Sequence, residues 1–242
     1  MFDHVTIRAS DRAASERFYD TVLATIGLGK TYSDEDFAEW RSFSLAEATD
    51  DKPVTRRLHI AFHAATPAEV DDFWRVGTEA GYRDDGPPGP RPEYTEDYYG
   101  AFLLDPDGNS AEAVNKTPVR RTVDHLWIRV RDLDTARRFY ETVAPYTGFE
   151  LGIELEDRVH FRGADASFAL VAGGEATENV HLAFPARDNA TVEAFHRAAT
   201  AAGYGDNGPP GERSIYHAGY YGAFVLDPDG NNVEVVNHNR DT

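Results

Sequence analysis

Two halves of this chain are copies of each other, and that duplication limits the fold more than any other feature. Asp3-His4-Val5-Thr6-Ile7-Arg8 returns as Asp124-His125-Leu126-Trp127-Ile128-Arg129, and Arg17-Phe18-Tyr19 as Arg138-Phe139-Tyr140. His59-Ile60-Ala61-Phe62 returns as His181-Leu182-Ala183-Phe184. The longest match closes each copy: residues 99–115 read YGAFLLDPDGNSAEAVN and residues 221–237 read YGAFVLDPDGNNVEVVN. The offset is 121 residues at the start and 122 later, so one small insertion separates two collinear copies. A period this long marks a duplicated domain rather than a solenoid. It divides the chain into 1–117 and 118–242, each of ordinary domain size, with the join at 116–122.

Within each copy, strand and helix patterns alternate. Residues 5–8 alternate as a strand, and residues 10–26 place Ala14, Phe18, Val22 and Ile26 at i, i+4 spacing, a helix capped by Ser10 or Asp11. Residues 37–45 read as one aromatic strand and 58–63 as another. Thr66-Pro67-Ala68-Glu69 is a capping box with proline at the first helical position, opening a helix that stops at Gly81. Residues 86–92 read as a Gly/Pro loop leading to the closing hairpin, whose Asp-Pro-Asp-Gly-Asn supplies the turn. The second copy repeats this, with strands at 125–130, 158–162, 167–172 and 180–184 and helices at 134–146 and 189–202. Each copy is thus two strand–helix–strands units in a row, which predicts an α+β fold.

The last strand of each hairpin carries one acid, Glu112 or Glu234, among alanine and valine. A carboxylate buried there needs a partner. His4, His59 and Glu112 fall on three separate strands, and His125, His181 and Glu234 occupy the matching places in the second copy. Two imidazoles and a carboxylate suit a divalent first-row metal and leave coordination positions open. The competing reading is that the histidines bond to backbone at strand ends while the acids pair with arginine.

Composition removes several function classes. The formal net charge of −18, from 42 acids and 24 bases, opposes binding to nucleic acid or an anionic membrane surface. With no cysteine, neither disulfides nor thiolate metal sites are open to it. There is no apolar run of membrane-spanning length, and MFDHVTIRAS lacks the basic and apolar regions of a signal peptide, so a cytoplasmic location is expected. Nor is there a glycine-rich phosphate loop or a nucleophile elbow.

The DHVTIR and DHLWIR strands, the RFY helix positions, HIAF and HLAF, and above all the paired DPDGN-x-x-E hairpins resemble two tandem vicinal oxygen chelate domains. This is the superfamily of glyoxalases, bleomycin resistance proteins and extradiol dioxygenases. The resemblance covers nearly the whole chain and implies two βαβββ units per domain, forming a cupped mixed sheet around a metal. It places His4, His59, Glu112, His125, His181 and Glu234 at the ligand positions, for Fe, Mn, Ni or Zn. It leaves open whether each set comes from one domain, or whether His4 joins His181 and Glu234 while His125 joins His59 and Glu112.

By the same resemblance, the function is that of a metalloenzyme gripping vicinal oxygens of a small substrate, with glyoxalase-like lyase or isomerase chemistry. The alternatives are a ring-cleaving extradiol dioxygenase and a metal-free binding protein of the bleomycin-resistance kind. Glyoxalase I carries a fourth, acidic ligand on the last strand of its first unit; residues 42–45 and 167–171 hold no acid, and Glu47 lies just beyond. Extradiol enzymes add a histidine and a tyrosine near the closing hairpin. His217 matches the histidine, but Phe224 stands at the tyrosine position, and the first copy has Thr95 and Phe102. Tyr94, Tyr216 and His217 are the candidate catalytic groups, and Arg91, Tyr99, Arg213 and Tyr221 the candidate substrate contacts. Tyr98 and Tyr220 are further candidates to line the cup. His63 and His238 are expected in solvent, His196 in packing or on the surface. The resemblance further implies a monomer with internal pseudo-twofold symmetry, since fused copies can make inside one chain the pairing that single-domain relatives make as dimers.

Overall fold

The structure, a computed structural model, describes residues 2–117 and 122–239; most of the join expected at 116–122 lies outside the described residues. The first copy runs β1 (His4–Ala9), α1 (Arg12–Leu23), β2 (Tyr32–Ser33), β3 (Phe37–Trp40), β4 (Phe43–Glu47), β5 (His59–His63), α2 (Pro67–Glu79), β6 (Arg83–Pro90), β7 (Tyr99–Leu104) and β8 (Ser110–Asn115). The second repeats it as β9 (Val123–Val130), α3 (Leu133–Thr147), β10 (Glu150–Glu154), β11 (Arg158–Arg162), β12 (Ser167–Ala172), β13 (His181–Pro185), α4 (Asn189–Ala201), β14 (Gly205–Glu212), β15 (Tyr221–Leu226) and β16 (Asn232–Asn237).

Local chemistry accounts for most boundaries. Asp11 caps α1 by accepting from the Ala14 amide, and the Thr66–Glu69 capping box forms in full around Pro67. The single strand expected at 37–45 is two strands. Arg41, at φ 61°, turns the chain so that β3 folds back antiparallel on β4. The Gly/Pro segment expected to be a loop is instead the edge strand β6, and its counterpart is β14. An edge strand tolerates prolines because one of its sides needs no donors, and the prolines protect that edge from further pairing. Gly86 departs from regular strand geometry at φ 156°, and a Cβ there would lie 2.8 Å from the Phe102 ring.

Two eight-stranded mixed sheets result, in the orders β14-β15-β16-β13-β1-β4-β3-β2 and β10-β11-β12-β9-β5-β8-β7-β6. Each sheet takes four strands from each sequence copy. The antiparallel pairs β1–β13 and β5–β9 are the seams between copies. The buried core is organised the other way, within copies: Tyr19 and Phe43 of the first unit meet Phe62 of the second at ring distances of 6.4 and 5.2 Å. In the second copy Phe149 meets Phe184 at 5.3 Å, and Phe2 crosses over from the first copy to join them. Helices follow the core, with α1 against α2 and α3 against α4. The units of a copy thus pack back to back through aromatic side chains, and copies join edge to edge through backbone hydrogen bonds. The outward faces of the two sheets form the cups.

Candidate metal centres

His59 on β5, Glu112 on β8 and His125 on β9 converge in one cup, and His4 on β1, His181 on β13 and Glu234 on β16 converge in the other; in each group the ligand atoms lie within 4.8 Å of one another. The arrangement is the crossed one: each set combines a histidine from one copy with the histidine and glutamate of the other. Strand register produces it. Ala61 pairs with both Glu112 and His125, and Ala183 with both Glu234 and His4, so carboxylate and imidazole flank a methyl group on one sheet face. The remaining histidine, His59 or His181, lies two residues along the strand and shares that face.

Both glutamates are fully buried. Glu112 Oε2 lies 3.0 Å from His59 Nε2 and 3.4 Å from His125 Nε2, while Oε1 accepts from the Tyr98 hydroxyl at 2.6 Å. Glu234 Oε2 lies 2.9 Å from His181 Nε2 and 3.6 Å from His4 Nε2, and Oε1 accepts from Tyr220 at 2.6 Å. Among the described residues, no arginine pairs with either acid. Gly100 and Gly222 leave the space these carboxylates occupy: a Cβ would lie 2.5 Å from Glu112 Oε1 or 2.7 Å from Glu234 Oε1.

The outer hydrogen bonds set which ring nitrogen carries the proton. His125 Nδ1 donates to Asp124 at 2.7 Å and His4 Nδ1 to Asp3 at 2.8 Å, which leaves both Nε2 lone pairs aimed inward. The Ser110 hydroxyl donates to Asp85 at 2.7 Å, so it can accept from His59 Nδ1 at 3.2 Å, turning the third Nε2 inward as well. Imidazole lone pairs facing a carboxylate at about 3 Å repel unless a proton or a metal ion lies between them. Ligands about 2.1 Å from a shared ion, at about 90–110°, stand about 3.0–3.4 Å apart, which these separations straddle. The donor set fits a divalent metal.

Titration follows the same contacts. Burial alone would raise the Glu112 carboxyl, but the bonds and charges of His125 and His59 hold it down at about 2. Burial would lower His125 and His4, yet Asp124 with Glu112, and Asp3 with Glu234, raise both above the ordinary imidazole value. Burial dominates at His181 and lowers it.

The supports behind the two aspartates differ. Asp124 is bridged by the Lys116 ammonium at 2.7 Å. At the position of Lys116 the second copy has His238, whose Nε2 meets Asp3 at 2.9 Å and whose Nδ1 meets His217 Nε2 at 2.8 Å. His217 Nδ1 meets the Ala218 carbonyl at 2.8 Å. All three contacts are hydrogen bonds only when the two imidazoles share three protons, one more than two neutral rings carry. His238, expected in solvent, is half-buried in this chain.

The family model describing the Glyoxalase/Bleomycin resistance protein/Dioxygenase superfamily matches residues 1–113 and again 122–235. The chain belongs to this superfamily. No curated protein matches it. Among solved structures it is similar to glyoxalase I from Zea mays, with 20% identity, a TM-score of 0.70, and coverage of 98% of this chain and 92% of that one. A Bacillus subtilis structure provisionally described as a dioxygenase shares 14% identity at a TM-score of 0.67, covering 99% of this chain and 85% of that one. Both likenesses bear on the fold alone.

The remaining predicted residues of this superfamily member divide between cup and outer face. Tyr94 and Arg91 line a cavity of about 460 Å³ around His59, Glu112 and His125. Burial, then the Glu112 charge, raises the Tyr94 phenol, and Glu234 does the same after burial for Tyr216 in the other cup. Arg213 lies over the Phe224 ring at 5.6 Å, as Arg91 does over Phe102. Tyr99 and Tyr221 point to the helix layer, where Tyr99 donates to Asp71 at 2.8 Å and Tyr221 to Glu193 at 3.2 Å. Glu47 stays out of the cup: its carboxylate accepts from the Arg12 amide at the start of α1. His196 bonds Asp206 at 2.9 Å, repeating Trp74 to Asp84 in the first copy. The sequence reading missed Asp3, Asp124, Gly100 and Gly222. The first two were visible as a repeated Asp-His pair, whereas nothing local marks the glycines.

Proposed function

We propose that this protein is a metalloenzyme carrying two divalent-metal sites, His59/Glu112/His125 and His4/His181/Glu234, each of which chelates vicinal oxygens of a small substrate for lyase or isomerase chemistry. The reading is carried by inward-facing imidazole lone pairs gathered against a buried carboxylate in both cups. A bound divalent ion would act there as a Lewis acid with positions open to substrate. Two protein ligands come from one copy and one from the other, so the seam strands hold the site geometry. Tyr98 and Tyr220 fix the glutamates, and Ala61 and Ala183 keep the floor low enough for a ligand to approach. Tyr94 and Tyr216, held as neutral phenols, are hydrogen-bond donors to an oxyanion rather than bases.

Lyase or isomerase chemistry is preferred over ring cleavage because His217, at the position of the extradiol histidine, has both nitrogens engaged by Ala218 and His238. The test is metal content of protein purified without chelator or His-tag. About two equivalents per chain are expected, falling to about one in Glu112→Ala or Glu234→Ala and to none in the double variant. Unchanged metal content in the double variant would defeat the site assignment. Oxygen uptake on catechols by an iron-loaded protein would move the assignment to the dioxygenase branch.

A further inference from the structure

We infer that the two cups serve different ligands, and that the cup of His59, Glu112 and His125 takes a planar substrate bearing a carboxylate, gripped by its vicinal oxygens at one end and by arginine at the other. The inference rests on the metal reading above and adds the substrate class. Three cup-facing differences carry it. Trp127 in this cup has Thr6 as its counterpart; the indole lines the cavity, with Tyr94 edge-on at 5.7 Å and 87° and His59 at 5.8 Å. Arg158 stands 5.8 Å over the same indole, and its counterpart is Phe37. His160, beside Arg158 on the cup face of β11, has Glu39 as its counterpart.

Charge points the same way. Arg129 lines the cavity, and among the described residues no carboxylate pairs with it; its counterpart Arg8 likewise meets a backbone carbonyl, that of Glu47 at 3.1 Å, rather than a carboxylate. Arg57 also lines the cavity but is paired to Glu178 at 2.6 Å, and the counterpart position holds Asn179. Glu93 and Asp85 share the wall, and Asp85 is held by Ser110. In a chain of net charge −18, Arg158 in place of Phe37 and His160 in place of Glu39 make this cup the more basic of the two, although Arg158 also stands 3.9 Å from Asp157. A flat ring or enol lies against Trp127, its oxygens toward the triad, and a carboxylate projects to Arg129 and Arg158. In the other cup Thr6 removes the indole platform, and Phe37 and Glu39 leave Arg8 without a second arginine beside it.

The probes are protocatechuate, which has vicinal oxygens opposite a carboxylate, and catechol, which lacks the carboxylate. Both are titrated without oxygen into the zinc-treated full chain, with zinc content measured on the same samples and tryptophan quenching as the signal. Expected are one protocatechuate per chain and a preference over catechol of at least tenfold. Binding is lost in Glu112→Gln and kept in Glu234→Gln, and the preference falls about tenfold in Arg129→Met with zinc content unchanged. The quench disappears in Trp127→Thr. Two equivalents, no preference, or a preference untouched by Arg129→Met would overturn the inference while leaving the metal reading intact. Absence of zinc would defeat the metal reading, and the Arg129-dependent preference and the Trp127 quench would then still decide the carboxylate site.

Discussion

Gly100 shows how a residue with no side chain can shape a candidate metal site. A methyl group there would meet Glu112 Oε1 at 2.5 Å, so Gly100→Ala must displace the carboxylate or the strand. The expected outcome is loss of one metal equivalent and about 1–3 kcal/mol of stability from overpacking, read by metal analysis and chemical denaturation. Gly222→Ala should empty the other site. Removing the anion behind a ligand is milder: Asp124→Asn should weaken metal affinity at that site by about 10–100-fold, measured by competition with a chelator. The pH dependence has two opposite signs. His4 and His125 are raised above the ordinary value of about 6.5, so in the metal-free protein their contribution to stability is full below that value and lost as pH rises through the raised ones. Metal competes with those protons and binds more tightly over the same rise. Melting temperature and metal affinity, followed across that window, should therefore move in opposite directions; parallel movement would contradict the assigned tautomers.

At the scale of elements, capping and turn chemistry were legible because they depend on neighbours in sequence. The Thr66–Glu69 box forms as its residues predict, and Thr66→Ala should destabilise the protein by about 1 kcal/mol in a denaturant titration without altering metal content. The Gly/Pro segments were misread as loops, because whether a proline-containing stretch pairs on one side depends on a neighbouring strand that the local sequence does not show. The break between β3 and β4 was hidden for a related reason: Arg41 adopts a left-handed conformation that its residue type does not announce.

At the scale of the whole molecule, core and site follow different divisions of the chain. Aromatic packing is mostly internal to each copy, with Phe2 of the first crossing to Phe149 and Phe184 of the second, and each candidate metal triad is shared across the seams β1–β13 and β5–β9. The first copy alone holds His59 and Glu112 of one triad and only His4 of the other. Residues 1–117 expressed alone should therefore bind metal only when two copies associate, with metal content tracking the dimer fraction in sedimentation. The intact chain, with both seams closed internally, is proposed to be a monomer, and light scattering at low concentration checks it.

The sequence by itself determined the duplication, the order of most elements and the six residues that form the triads, since repeats, apolar periodicity and a lone acid in a strand are local patterns. Only the tertiary structure decided that the triads are crossed, because which strand edges meet is a long-range choice between alternatives of similar local propensity. The same holds for the supports: Asp3 meets His238 from the far end of the chain, a contact separated by 235 positions. The difference between the cups likewise emerges only when Trp127, Arg129 and Arg158, set on neighbouring strands, are brought to one face around a shared cavity.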